Sequence, residues 1–242
     1  MSPEQLAAAV FVSDSLVRAW ERNRRIPKPD VLAKVEALLG TQGILGRILN
    51  DLVDASVPVE WFTHWVEIER EASALWSFEL AVFPGLLQTP EYARAVLKAA
   101  NHVVDLDESV TARIERKRTL TDEDPPMLVA IIAESVLNHN VGGNEVMTEQ
   151  LESLLTQGSN VIIHIIPDAS ECCSGFIGAF AIARTPKGDF AYVDNQLNGE
   201  VIEDSEDVTR LHRWYDTFRA DALSRSDSQA RIQEAIEQWK LK

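Results

Sequence analysis

The sequence predicts an α+β fold, a small all-α head followed by a larger domain of helices around a mostly antiparallel sheet. Three observations predict it. Two short helical patterns and a basic run occupy residues 2–29. Four short runs rich in β-branched and aromatic residues fall between residues 127 and 194. Helical spacing then returns after Glu203. A chain of 242 residues is long enough for two domains, placed at 1–55 and 59–242.

The head begins with Ser2 as an N-cap, Pro3 at the first helical position and Gln5 closing a capping box. Leu6, Ala7 and Val10 recur at helical spacing. Phe11 and Val12 are expected in a turn, packing inward. Ser13 caps a second helix whose Leu16, Val17 and Trp20 form an apolar face, leaving Asp14, Ser15, Arg18 and Ala19 outward. Two short helices with an outward polar set at the start of the second form the layout of a helix-turn-helix. Its second helix enters a DNA major groove. Ser13, Asp14, Ser15 and Arg18 are therefore candidate base contacts, and Arg18 suits the O6 and N7 of a guanine. Arg22, Arg24, Arg25 and Lys28 follow as candidate phosphate contacts, which position without specifying. Pro29 starts a further helix carrying Val31, Leu32, Val35, Leu38 and Leu39 up to Gly40, and Gly43 to Val53 supplies another helix candidate.

The net charge of -15 argues against general nucleic-acid affinity, but the charge is unevenly spread. Residues 1–50 hold seven basic and five acidic side chains, a net +2, and the remainder carries -17. Only the head is suited to phosphates. The longest apolar run, Met127 to Ala133, falls far short of the roughly 20 residues that span a bilayer. The start lacks a basic region leading into an apolar core, so no secretory signal is read. Cys172 and Cys173 are adjacent and read as free thiols of a reducing cytoplasm.

In the body, Trp61, Trp65, Ile68, Ala72, Leu75 and Trp76 fit a helix with one apolar stripe. Pro84-Gly85 reads as a turn, and Thr89, Pro90 and Glu91 begin a helix continued by Tyr92, Val96 and Leu97. Strands are expected at Met127 to Ala133, Val161 to Ile166, Phe176 to Ala183 and Phe190 to Asp194, with a helix from Asn144 to Leu155. Gly188-Asp189 is expected as a hairpin turn. Val208, Leu211, Trp214, Tyr215, Phe218 and Leu223 make a last stripe, and Ser226 with Gln229 suggests a capping box.

The run Trp20-Glu21-Arg22-Asn23-Arg24-Arg25 with Pro27 resembles the close of the recognition helix in Xre/Cro-type regulators. Asn23 stands where that family usually has Gly, a mild change because Asn tolerates the left-handed conformation. A complete domain of this kind has five helices, and the first is expected to be missing before Ser2. The string Pro84 to Arg94, PGLLQTPEYAR, resembles the hallmark of a C-terminal domain of unknown function in actinobacterial, especially streptomycete, Xre-family regulators. Arg113 to Arg118, Glu134 to Leu137, Val141 to Gly143 and Gln150-Leu151 resemble further parts of it in order. Asn138-His139-Asn140 departs from the basic residues and Pro found there. This resemblance implies an antitoxin-like transcriptional regulator with a small protein partner.

No catalytic constellation is visible. His64, His102, His139, His164 and His212 are scattered, and no metal, phosphate or dinucleotide motif occurs. Asn140 to Asn144 is read as an ordinary helix-leading loop, and the cysteines as structural. The expectation is a non-enzymatic, cofactor-free regulator that binds double-stranded DNA as a homodimer and senses a ligand or small partner through its acidic body. The alternative is an antitoxin-like interaction module with weak or no DNA binding.

Overall fold

The computed structural model describes residues 2–21, 27–41, 43–46, 60–100, 105–170, 178–194 and 199–242. The chain forms two compact units, Met1–Ala55 and Ser56–Lys242.

In the first unit, α1 (Pro3–Val10) has its capping box: Ser2 Oγ accepts from the Gln5 N–H at 3.2 Å, and Gln5 Oε1 accepts from the Ser2 N–H at 2.9 Å. α2 (Asp14–Glu21) is capped by Ser13, whose Oγ accepts from the Leu16 N–H at 3.3 Å. α3 (Pro29–Leu39) ends at Gly40, which takes the left-handed φ of 67°. Ala7, Val10, Val17, Leu32 and Val35 are buried. Phe11 differs from expectation. It closes α1 in the left-handed conformation, φ 60°, and this turns its ring outward, 89% exposed. Leu38 and Leu39 are also exposed. Of the helix expected from Gly43 to Val53, residues 44–46 are helical and 47–53 lie outside the described residues.

The second unit opens with α4 (Glu60–Glu71), which ends earlier than its sequence spacing suggested. Leu75 and Trp76 belong instead to strand β1 (Ala74–Glu79). The helical stripe of Trp65, Ile68 and Ala72 meets the start of the strand in phase, so periodicity alone runs the two together. A 3-10 turn at Gly85–Leu87 follows, then α5 (Pro90–Ala99), α6 (Leu106–Glu115) and a second 3-10 turn at Arg116–Leu120. β2 (Met127–Ala133), α7 (Glu134–Asn138), α8 (Asn144–Leu155) and β3 (Val161–Ile166) come next. β4 (Phe180–Thr185), β5 (Gly188–Asp194) and β6 (Gly199–Ile202) precede α9 (Ser205–Asp221) and α10 (Arg225–Lys240).

The fold is α+β, with one six-stranded sheet in the order β3-β2-β1-β4-β5-β6. The expected antiparallel pairing holds from β1 through β4 and β5 to β6. β1, β2 and β3 are mutually parallel. Helical segments separate them, α5 and α6 in one case and α7 and α8 in the other, and such crossovers return the chain in the same direction. The β4–β5 hairpin turns at Pro186-Lys187, two residues before the expected site, because proline's fixed φ suits the first turn position. α10 is capped by Ser224 with the Asp227 N–H, not by Ser226.

Opposed residues in the ladder share a face. One row runs Ile163, Ala130, Ser77, Ala181, Tyr192, Val201. Trp65 of α4 stacks on Tyr192 at 5.4 Å, which places α4 over this face. The opposite face carries Phe78, stacked at 4.1 Å on Phe218 of α9. Tyr215 of α9 donates to the Val129 carbonyl at 2.8 Å, and Trp239 of α10 to the Leu137 carbonyl at 2.8 Å. The outer edge of β3 is closed by the α9–α10 connection: the Leu223 N–H donates to Ile165 O at 2.8 Å, and Ser228 Oγ accepts from the Ile165 N–H at 2.9 Å.

Candidate functional site

In the head, Ser13, Asp14, Ser15 and Arg18 are all exposed at the start of α2. Ser13 Oγ lies 3.0 Å from Ser15 Oγ. Arg18 pairs with Glu4 of α1 and, one turn back, approaches Asp14 at 3.9 Å. The Glu4 carboxyl is held below its usual range by hydrogen bonds from its own backbone N–H and the Ser2 hydroxyl, with Arg18 adding to the effect. Lys28 is exposed just before α3. Arg22, Arg24, Arg25, Cys172 and Cys173 lie outside the described residues.

In the body, the sheet row beneath α4 places Ala130, Ser77 and Ala181 side by side. Three small side chains in succession leave space that bulky ones would fill. A cavity of about 190 Å³ lies over Ser77 and Ala181 of this row. Its floor includes Leu75, Ser77 and Glu79 of β1 with Ala181 of β4, and its walls include Trp65 and Glu69 of α4. The rim is the segment from Val82 to Leu86 with Gln88, and Arg113 and Arg116 complete the lining.

Glu69 is 3% exposed and is held by both arms of a bidentate pair. Arg116 Nε donates to Oε1 at 3.0 Å and Nη2 donates to Oε2 at 2.7 Å. Arg113 Nη1 donates to Gln88 Oε1 at 3.1 Å, and Gln88 Nε2 donates to Phe83 O at 2.7 Å. Ser77 Oγ donates to Glu79 Oε1 at 2.8 Å. Behind the rim, Gln150 Nε2 donates to Leu87 O at 2.9 Å and its Oε1 accepts from the Thr89 N–H at 2.7 Å. Tyr92 is fully buried, and burial pushes its phenol up to about 12. Its hydroxyl makes no hydrogen bond of normal geometry. The Phe83 backbone lies near enough to oppose the shift slightly, and burial wins.

Sequence reasoning singled out the Pro84–Arg94 string and the basic run at Arg113, and the structure joins them at one cavity. It missed Glu69, Ser77 and Glu79. Glu69 had a readable signal, since it sits one turn after Trp65 on an otherwise apolar stripe. Ser77 and Glu79 carried none while Leu75 and Trp76 were read as the end of a helix. Three of the described histidines have separate partners: His64 meets Glu203 at 3.2 Å, His164 Nδ1 meets Leu223 O at 2.8 Å, and His212 meets Asp189 at 2.9 Å. Among the described residues no helix is long and apolar enough to cross a membrane, and no cluster of three or more His, Cys, Asp or Glu could hold a metal.

Residues 1–43 match the family described as Helix-turn-helix, of the Xre/Cro type, which supports a DNA-binding regulator. No curated protein and no solved structure matches the chain. Residues 62–234 match the Domain of unknown function (DUF5753), and because this match spans most of the sequence, the chain belongs to that family, with the helix-turn-helix domain ahead of it.

Proposed function

We propose that the protein is a sequence-specific transcriptional regulator, whose head reads double-stranded DNA and whose acidic body, residues 59–242, senses a small ligand. The observation that carries this is the helix pair itself. Ser13, Asp14, Ser15 and Arg18 are exposed on the second helix of a helix-turn-helix match. In this reading they meet base edges, while Arg22, Arg24, Arg25 and Lys28 meet phosphates. A single short reading helix supplies limited specificity, so the active species is a homodimer on an inverted repeat.

The test is a mobility-shift titration of the protein on its own upstream region at several salt concentrations. The expected result is saturable binding that weakens steeply with salt. Arg18→Ala should relax sequence preference, and Arg24→Ala should weaken all sequences alike. A complete lack of salt-dependent binding, also in a version extended upstream, would overturn the DNA-reading role.

The strongly acidic body favours a second reading, an antitoxin-like module that captures a small basic protein encoded nearby. Co-expression and pull-down decide it. Failure to recover a small protein from the native host removes that reading.

A further inference from the structure

We propose that the cavity beneath α4 binds a small, neutral, mainly apolar molecule, the size of a benzene ring with a short side chain. The proposal rests on the sensing role given to the body and names the ligand class.

Size is the first argument. Sites for drug-sized ligands enclose about 300–1,000 Å³, whereas a dry apolar cavity of about 150 Å³ takes benzene. This cavity, at about 190 Å³, falls just above the second. It is bounded by the sheet, by α4 and by the Val82–Leu86 segment at the rim, and it is partly open to solvent, so a ligand can enter.

The apolar lining is the second. The strand register sets Leu128, Leu75, Ala181 and Tyr192 on the face that meets the cavity, with Ser77 among them. Trp65 of α4 lies over that face, and Val82, Phe83 and Leu86 bring further apolar residues to the rim. Removing apolar surface from water is the main source of affinity that such a lining offers.

Charge is the third, and it excludes ionic ligands. Glu69, Glu79, Arg113 and Arg116 line the cavity, and their charges balance. Each also has a hydrogen-bond partner within the protein. Glu69 and Arg116 hold each other, Arg113 donates to Gln88, and Glu79 accepts from Ser77. An ionic ligand must then either break one of these bonds or stay unmatched in a half-enclosed site, and both cost affinity. A neutral ligand does neither. A hydroxyl on it is tolerated, because it accepts from a guanidinium or donates to a carboxylate as an additional bond.

The experiment uses the full chain and three probes of nearly equal size: 2-phenylethanol, phenethylamine and phenylacetate. Binding is read by calorimetry and by intrinsic tryptophan fluorescence, because Trp65 lines the site. 2-Phenylethanol should bind saturably, with the cation and the anion each weaker by about ten-fold or more. Ala181→Leu, which fills the floor, should abolish binding while circular dichroism stays unchanged. Ala181→Val adds less bulk at a strand position that suits a β-branched residue. It should weaken binding several-fold, and it decides the location if Ala181→Leu fails to fold. Arg113→Gln tips the lining towards negative charge and should raise the affinity for phenethylamine relative to 2-phenylethanol. Absence of saturable 2-phenylethanol binding, an ion that binds as tightly, full affinity in a folded Ala181 variant, or an unchanged ratio in Arg113→Gln overturns the assignment. 2-Phenylethanol that binds as expected and leaves the DNA shift unaltered supports the ligand class and removes the sensing role.

Discussion

The bidentate pair between Glu69 and Arg116 gives the sharpest quantitative test of the body. Both side chains are nearly inaccessible, 4% exposed for Glu69 and 11% for Arg116. Arg116→Met keeps much of the volume of the side chain but leaves the Glu69 carboxylate without the partner to both its oxygens. Removing one member of a buried pair costs about 3–5 kcal/mol, because the remaining charge loses its compensation while staying out of water. Total stabilities run to about 5–15 kcal/mol, so this loss is a fifth or more of the total. Replacing both members together, Glu69→Leu with Arg116→Met, removes the stranded charge and is expected to be neutral or mildly stabilising. The assay is urea unfolding of wild type, both single variants and the double variant at pH 7, followed by far-ultraviolet circular dichroism. The coupling between the two positions should reach several kcal/mol, beyond the range found for unconnected sites. A loss below about 1 kcal/mol for Arg116→Met would refute the reasoning, since exposed pairs behave that way. Additive losses in the double variant would refute it as well.

Three further outcomes are expected. Phe11 holds a left-handed conformation that costs a residue with a Cβ about 1–2 kcal/mol, and glycine returns about 0.5–1 kcal/mol of that through its freer unfolded chain. With the ring almost wholly exposed, Phe11→Gly should stabilise the head by up to about 1 kcal/mol in thermal unfolding, and a lower midpoint would contradict this. Glu4→Gln frees Arg18 from its α1 partner and removes a negative charge beside α2, so on the proposed reading of α2 the variant should bind the operator several-fold more tightly. Unchanged affinity would show that Arg18 does not approach the duplex. Tyr92 ionises at 10.0 in the ordinary case and only at about 12 when buried, so its contribution is intact below pH 10. The unfolded chain gives up that proton first, and stability falls as pH rises from 10 to about 12. Tyr92→Phe should flatten that decline, measured as unfolding midpoint against pH, with little cost at neutrality because the hydroxyl lacks a normal hydrogen bond. Buried Tyr215 shifts upward as well, so some slope should remain, and an unaltered slope would refute the assignment to Tyr92.

Where local chemistry decides structure, the sequence was readable to the residue. The Ser2–Gln5 capping box, the Ser13 cap, the Thr89-Pro90 helix start and strands β2 and β3 all follow from side chains that act on their immediate neighbours. Where long-range pairing decides it, the reading failed. The start of β1 looks helical because Leu75 and Trp76 continue a helical count, and only its place between β2 and β4 fixes the strand within the sheet. The parallel half of the sheet depends on which strands pair, and periodicity carries no such information. Edge strand β6, Gly199–Ile202, is four residues long and too short for a pattern. Phe11 was placed inward on hydrophobicity, but backbone geometry at the end of α1 controls where the ring goes. The cavity was half legible. Its rim belongs to the Pro84–Arg94 string, whereas its charges come from α4, β1 and the α6 region, which meet only on folding.

That division bears on what the string does. Leu86, Leu87 and Tyr92 are buried, Thr89 caps α5, and Pro90 occupies its first turn. The backbone from Phe83 to Thr89 lies between a strand and a helix, where buried carbonyls and N–H groups lack ladder partners and must be satisfied by other means. Gln88 and Gln150, both almost fully buried, do this: one accepts from Arg113 and donates to Phe83 O, the other serves Leu87 O and the Thr89 N–H. The part of the string from Pro84 to Gln88 thus builds the rim, and none of its residues brings a charge to the cavity. The charges that line the cavity come instead from Glu69, Glu79, Arg113 and Arg116, none of which belongs to the string. The string thus builds an architecture, and the charged lining of the cavity is set by side chains that no local motif marks.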